Sequence, residues 1–153
     1  MTGYVSDMTS GIVNFLRSEI TDPNTNRNTS SWIYPSSPMI EVGTPCISMS
    51  LIGNIPFIDT ISNDELITLT YQFDIIVGMH DKFNISSSTY GNTKLRDFIA
   101  DKVRESFHSC DNASIHSSCL DNSLVDEMWM PLEEENLLRK SMSFDFLIHY
   151  DTS

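Results

Sequence analysis

Basic residues are scarce in this chain. Four lysines and five arginines stand against 21 acidic residues, giving a formal charge of −12 and a pI near 4.4. So acidic a surface repels phosphate backbones, which excludes sequence-specific nucleic-acid binding from the expected roles. Three explanations of the acidity stand: solubility, adaptation to high salt, or a surface past which DNA slides without sticking. The abundance of Asn, Ser and Ile counts against salt adaptation.

Cysteine is equally scarce. Cys46, Cys110 and Cys119 are an odd set, and the opening MTGYVSDMTSGIVNFL has neither a basic n-region nor a long apolar run. The expectation is an intracellular product without a disulfide framework, in which the sequons at Asn28, Asn84 and Asn112 are chance matches. No apolar run reaches the length of a membrane span, so no membrane partner is expected. The chain has no GxGxxG, no phosphate-cradling Gly-Lys-Ser/Thr loop, no GxSxG and no HExxH. No enzyme, cofactor or metal is therefore expected. His108, Cys110, His116 and Cys119 are zinc-ligand types, but their spacing lacks a short Cys-pair knuckle, and a flexible loop is the plainer reading. His80 beside Asp81, and His149, are the remaining acid/base candidates, with no nucleophile motif near them. Glu133, Glu134 and Glu135 are consecutive, so their side chains diverge; a solvated acidic turn is expected there rather than a metal cage.

What is present is apolar periodicity. The 153 residues, 40% hydrophobic, suffice for a single domain over 1–153 with one core. Met8, Ile12, Phe15, Leu16 and Ile20 share one face of a helix over 4–20, capped by Ser6 or Asp7 and followed by Asp22-Pro23. Gly11 counts slightly against that helix. Residues 22–31 are polar and turn-forming, a mobile loop. WIYPSSPMIEVGTP carries three prolines, so an edge strand or extended loop is expected, with Trp32 and Tyr34 either core lids or contact residues. CISMSLI alternates as a strand over 46–52.

The organising stretch runs from Asp64 to His108. Ile67, Leu69, Tyr71, Phe73, Ile75, Val77 and Met79 fall on every second residue, opposite Leu66, Thr68, Thr70, Gln72, Asp74 and Ile76. That predicts a strand with one covered face. From Leu66 to Met79 it would span roughly 45 Å at about 3.3 Å per residue. It either projects beyond its own sheet as an arm offering a free edge around Ile76–Asp81, or breaks at a bulge near Gly78. KFNISSSTYGN reads as a polar connection. TKLRDFIADKVRESFH reads as a helix with Leu95, Phe98, Ile99, Val103 and Phe107 in one stripe. A Cys/His-containing loop follows at 108–122. LVDEMWM is then a strand, PLEEENLL an acidic turn, and RKSMSFDFLIHY a final strand with Met142, Phe144, Phe146, Ile148 and Tyr150 on one face. The long and final strands should share a sheet under the second helix. The fold class expected is α+β: a single antiparallel β-sheet with an N-terminal helix and a second helix packed on it.

The order helix, strand, long strand ELITLTYQFDIIVGMHD, helix TKLRDFIADKVRESF, strand, terminal SMSFDFLIHYD resembles the tail-terminator (tail-completion) and related neck proteins of long-tailed phages and archaeal tailed viruses. The resemblance covers most of the chain and rests on pattern and element order; the 22–31 and 108–119 segments depart from it. It implies a non-enzymatic virion protein, made in the host cytoplasm, whose subunits form a homo-oligomeric ring, usually a hexamer. Such a ring caps the tail tube protein and joins it to head-closure/neck proteins, with DNA passing the lumen without specific binding. Under that implication Trp32, Tyr34, Ile76, His80 and Asp81 are candidate subunit or partner contacts, and Glu133–Glu135 candidate rim or lumen residues. A head-closure adaptor is an alternative, as is a small cytoplasmic ligand-binding or enzyme domain.

Overall fold

The computed structural model describes residues 4–25, 27, 32–35, 43–57, 64–130 and 137–151. Helix α1 (Tyr4–Glu19) is followed by strands β1 (Ile33–Tyr34), β2 (Cys46–Phe57) and β3 (Asp64–Gly78). A ribbon of β4 (Lys82–Ile85) and β5 (Ser88–Gly91) leads into helix α2 (Asn92–His108). A 3-10 turn at Asn112–Ser114 precedes β6 (Cys119–Met130) and β7 (Leu137–Asp151). No helix of the described residues is long and apolar enough to cross a membrane.

The chain is α+β with two helices, but it does not form one antiparallel sheet. A five-stranded sheet has the order β1-β2-β3-β7-β6, and β4-β5 form a second sheet. Two local causes account for the difference. The β4–β5 turn places Ser86 and Ser87 at positive φ, 50° and 70°. This is the backbone of a two-residue hairpin turn, normally signalled by Asn-Gly; serines give no such signal, and the ribbon reads as a loop. Strand β1 is cut short by Pro35, and β2 then lies beside it in the same direction, Ile47 N–H donating to the Trp32 carbonyl at 2.9 Å. That adds a short parallel pair to an otherwise antiparallel sheet.

Strand β3 is central. It pairs with β2 from Leu66 to Ile76 and with β7 from Asp64 to Gly78. The expected projecting arm is therefore not there: both edges of the long strand are satisfied within the chain. Nor does it bulge near Gly78. It ends there in a turn in which Gly78 N–H donates to the Asp81 carboxylate at 2.8 Å and Asp81 N–H to the Gly78 carbonyl at 3.0 Å. Bulges lie instead in β2, between Leu51 and Gly53, and in β6, between Cys119 and Asp121 and between Leu124 and Asp126. Strand β6 begins within the expected 108–122 loop, five residues ahead of LVDEMWM.

Both helices cover the same face. Met8, Ile12, Phe15, Leu16 and Ile20 of α1 and its C-terminal end meet Leu95, Ile99, Val103 and Phe107 of α2 over Ile67, Leu69, Tyr71, Phe73, Ile75 and Val77, with Phe144 and Phe146 from β7. Phe107 is the hub, its ring 4.9–5.7 Å from those of Phe15, Phe73, Phe144 and Phe146. Such tilted and edge-on aromatic contacts add to plain area burial. Gly11 is also explained: a Cβ there would collide with the Ile115 carbonyl, so glycine lets α1 press against the segment after α2. Of the expected stripe, Met79 lies in the turn and is exposed.

Candidate interaction surfaces

The sequence-stated contact residues separate once placed in three dimensions. Trp32 is 2% exposed and fills the main core. Tyr34, Cys46 and Ile76 form a second small cluster with Leu137, the Tyr34 hydroxyl donating to Cys46 Sγ at 3.6 Å. Aromatic and β-branched side chains so buried are packing residues, and Trp32, Tyr34 and Ile76 offer no free surface. Asp81 holds the turn after β3. His80, at the tip of that turn, is exposed. Glu133, Glu134 and Glu135 lie outside the described residues.

The expected mobile loop is anchored where it is described. Arg27 pairs with Asp22 at 2.7 Å and donates to the carbonyls of Pro45 and Gly43. The Cys/His segment is likewise tied down. Asn122 Nδ2 donates to Asn112 Oδ1 at 2.6 Å, to the Phe107 carbonyl at 3.2 Å and to Cys110 Sγ. Cys110 and Cys119 both reach Asn112 Oδ1. His116 Nδ1 accepts from Ser118 N–H, and His108 points outward. Among the described residues no three His, Cys, Asp or Glu side chains gather around a common point. Burial pushes the Cys119 thiol up to about 11, and burial likewise raises Cys110, so neither is a poised thiolate. A cavity of about 450 Å³ beside them is lined by Arg104, His108, Cys110, Asn112 and Asn122. Its amides are spent on the knot joining α2 to β6.

The helix-free face of the sheet is polar by register. Its rows read Ser48–Asp74–Ser141–Met128, Ser50–Gln72–Ser143–Asp126 and Gly53–Thr70–Asp145–Ser123, with Asp121 beside Leu147 in the next. Ser141 Oγ–H and Gln72 Nε2 donate to Asp74 Oδ1 at 2.5 and 3.0 Å, and Thr70 Oγ1–H to Asp145 Oδ1 at 2.5 Å. These bonds satisfy the donors and leave the carboxylates as the charged groups. These rows carry no arginine or lysine; Arg139, opposite Ile76 in the neighbouring row, is the one that β2, β3, β6 and β7 place on this face among the described residues.

The opposite face handles charge differently. Lys140, 6% exposed at its side chain, pairs with Glu127 at 2.7 Å and lies 3.8 Å from Asp97 of α2. Glu127 also takes a two-pronged contact from Arg104. Burial alone would raise the Glu127 pKa, but the hydrogen bonds and charges of Lys140 and Arg104 outweigh it and hold the carboxyl below its ordinary range. The bridge fastens α2 to the β6 margin.

The sheet's two margins complete the surface. Among the described residues nothing pairs with the outer side of β6, or with β2 beyond Ser48. The bulge residues Ile52, Leu120 and Val125 are apolar and each at least half exposed, as is Met128; Leu51 and Leu124 join them. Sequence reasoning missed these residues. It sought a free edge in the longest strand, whereas edge position depends on strand order. No protein-family model matches this chain, and no curated protein matches it in sequence.

Proposed function

We propose that this protein is a ring-forming structural subunit of a tailed-virus neck, of the tail-terminator type. In this role it caps the tail tube protein, meets head-closure proteins on its other side, and lets DNA pass through its lumen. The observation that carries the reading is the one-sided sheet. Both helices lie on one face, while the other carries Asp126, exposed, and Asp74 and Asp145, half-buried, among Ser, Thr and Gln. A face with carboxylates and little basic charge is suited to a channel wall past which a polyanion slides, since it supplies no cations to replace released counterions. The element order of the neck proteins supports the same reading.

The test is native mass measurement with negative-stain imaging of the full chain, at low and high salt, alone and with the cognate tail tube. Closed rings with a hole wide enough for a duplex are expected. A monomer under all of these conditions overturns the proposal. The face each partner meets then separates a terminator, on the tube, from a head-closure adaptor.

A further inference from the structure

Among the described residues, no strand lies opposite the outer side of β6 or opposite β2 beyond Ser48. An open edge is a template for another strand, and proteins usually blunt it with bulges, lysines or prolines. Here β6 has two bulges but no lysine, arginine or proline, and its bulge residues Leu120 and Val125 present apolar side chains. On β2, Ile47 turns its N–H to the outer side, to the Trp32 carbonyl. By the two-residue alternation of a strand, Met49 and then Leu51 turn the same way with no β1 residue opposite them.

We propose that copies of this chain join margin to margin, the outer side of β6 in one subunit pairing with the outer side of β2 in the next. The proposal deepens the ring reading and rests on it, by naming the surfaces that close the ring. Charge selects this pairing over a two-fold β6–β6 contact. Strand β6 carries Asp121, Asp126 and Glu127 and no basic residue, whereas β2 carries no charged residue at all. Two β6 strands would bring exposed carboxylates together, and like charges across a strand pair are destabilising. The β1–β2 margin instead holds a cation. Arg17 donates through Nε and Nη2 to the Ile33 carbonyl at 3.0 and 2.7 Å, and it makes no ion pair among the described residues.

Topology gives the direction. The steps β2–β3, β3–β7 and β7–β6 are all antiparallel, so β2 and β6 of one subunit run oppositely. Rotation about an axis along the strands preserves strand direction, so β6 meets the next β2 antiparallel. The sheet then continues without a change of pattern. Such a contact is heterologous, and where its rotation closes it makes a ring. The helix-free face follows one wall of that ring throughout.

Two full-length variants test it, each placing lysine on exposed positions so that the core is untouched: Val125→Lys with Met128→Lys on β6, and Leu51→Lys with Ile52→Lys on β2. Circular dichroism checks folding, and analytical ultracentrifugation reads mass. The wild type is expected to assemble, each variant alone to lose association by at least about tenfold, and their equimolar mixture to form a one-to-one dimer that grows no further. That dimer arises because each variant keeps the one margin the other lacks. Self-association of the β2 variant overturns the proposal in favour of two-fold β6 pairing. Rings formed by both variants as by the wild type overturn the margin pairing while leaving the ring reading standing. A wild type that never assembles, even with its tube, overturns both. Should a double lysine variant fail to fold, the single substitutions Val125→Lys on β6 and Ile52→Lys on β2, both at half-exposed bulge residues, serve instead; each is expected to weaken assembly, and two singles without effect overturn the proposal.

Discussion

Along β3 the odd-numbered residues from Ile67 to Val77 lie under two helices, while Thr68, Thr70, Gln72 and Asp74 face none. The same backbone thus carries two surfaces of different design. On the covered side charge is tolerated only when paired, as in Lys140 with Glu127 and Asp97. On the other side Asp74 and Asp145 bind neighbouring hydroxyls and an amide, and no ion pair among the described residues involves them. Folding needs the first surface, because apolar burial and aromatic packing supply most of a small domain's stability. On the second surface apolar burial does not call for carboxylates, and those of Asp74 and Asp145 serve the fold only as acceptors for Ser141, Gln72 and Thr70.

The sharpest way to break this contrast is at the hub. Phe107→Ala removes a ring packed against four others and should cost about 3–5 kcal/mol, read as a fall in the denaturation midpoint. A loss under about 1 kcal/mol would mean that the helices are not what holds this face. Gly11→Ala probes the same side with the opposite sign to helix propensity. Alanine ordinarily gains nearly 1 kcal/mol over glycine within a helix, but here its Cβ meets the Ile115 carbonyl. A net loss of about 1–3 kcal/mol is expected from overpacking; a gain would show that α1 and the 112–116 segment part readily.

These two positions also show what was legible in the sequence. Helical and two-residue periodicities mark the covered face because burial acts on every second or every third and fourth residue, and both helices, the long strand and the final strand follow from it. Gly11 reads as a weakness, since its reason lies some hundred residues away. Ser86 and Ser87 hide a hairpin turn behind residues without a turn signature. Strand order is a matter of long-range pairing, so nothing local distinguishes the central β3 from the marginal β6. Trp32, Tyr34 and Ile76 looked like contacts for the same reason: composition does not say which apolar residues the rest of the chain will cover.

The Glu127 bridge gives a smaller effect and a pH signature. Glu127→Gln takes from the buried Lys140 ammonium the carboxylate nearest to it among the described residues, at an expected cost of about 1–2 kcal/mol. The folded pKa of Glu127 lies below its ordinary value. Its contribution is therefore fully present above the unfolded pKa and disappears as pH falls through the folded one. Wild type minus variant, measured by urea unfolding from pH 7 down to about pH 3, should shrink toward zero at the acid end. A difference independent of pH would assign the bridge's effect to packing alone.

The smallest expected change in stability lies on the helix-free face, and there it sharpens the contrast most. Asp126→Asn with Asp145→Asn keeps an acceptor for the Thr70 hydroxyl and should alter stability by less than about 1 kcal/mol. The corresponding double lysine variant puts cations where the proposed channel wall carries carboxylates. Its affinity for a fluorescent duplex should rise at least about tenfold at low salt and fall steeply as salt is added. Asp101→Lys with Glu105→Lys makes the same charge change on exposed positions of α2 and is the control. If both lysine pairs bind duplex equally, net charge alone governs the interaction and the helix-free face has no special claim on DNA. If only the sheet pair does, the carboxylates between β3, β7 and β6 line the path that DNA takes.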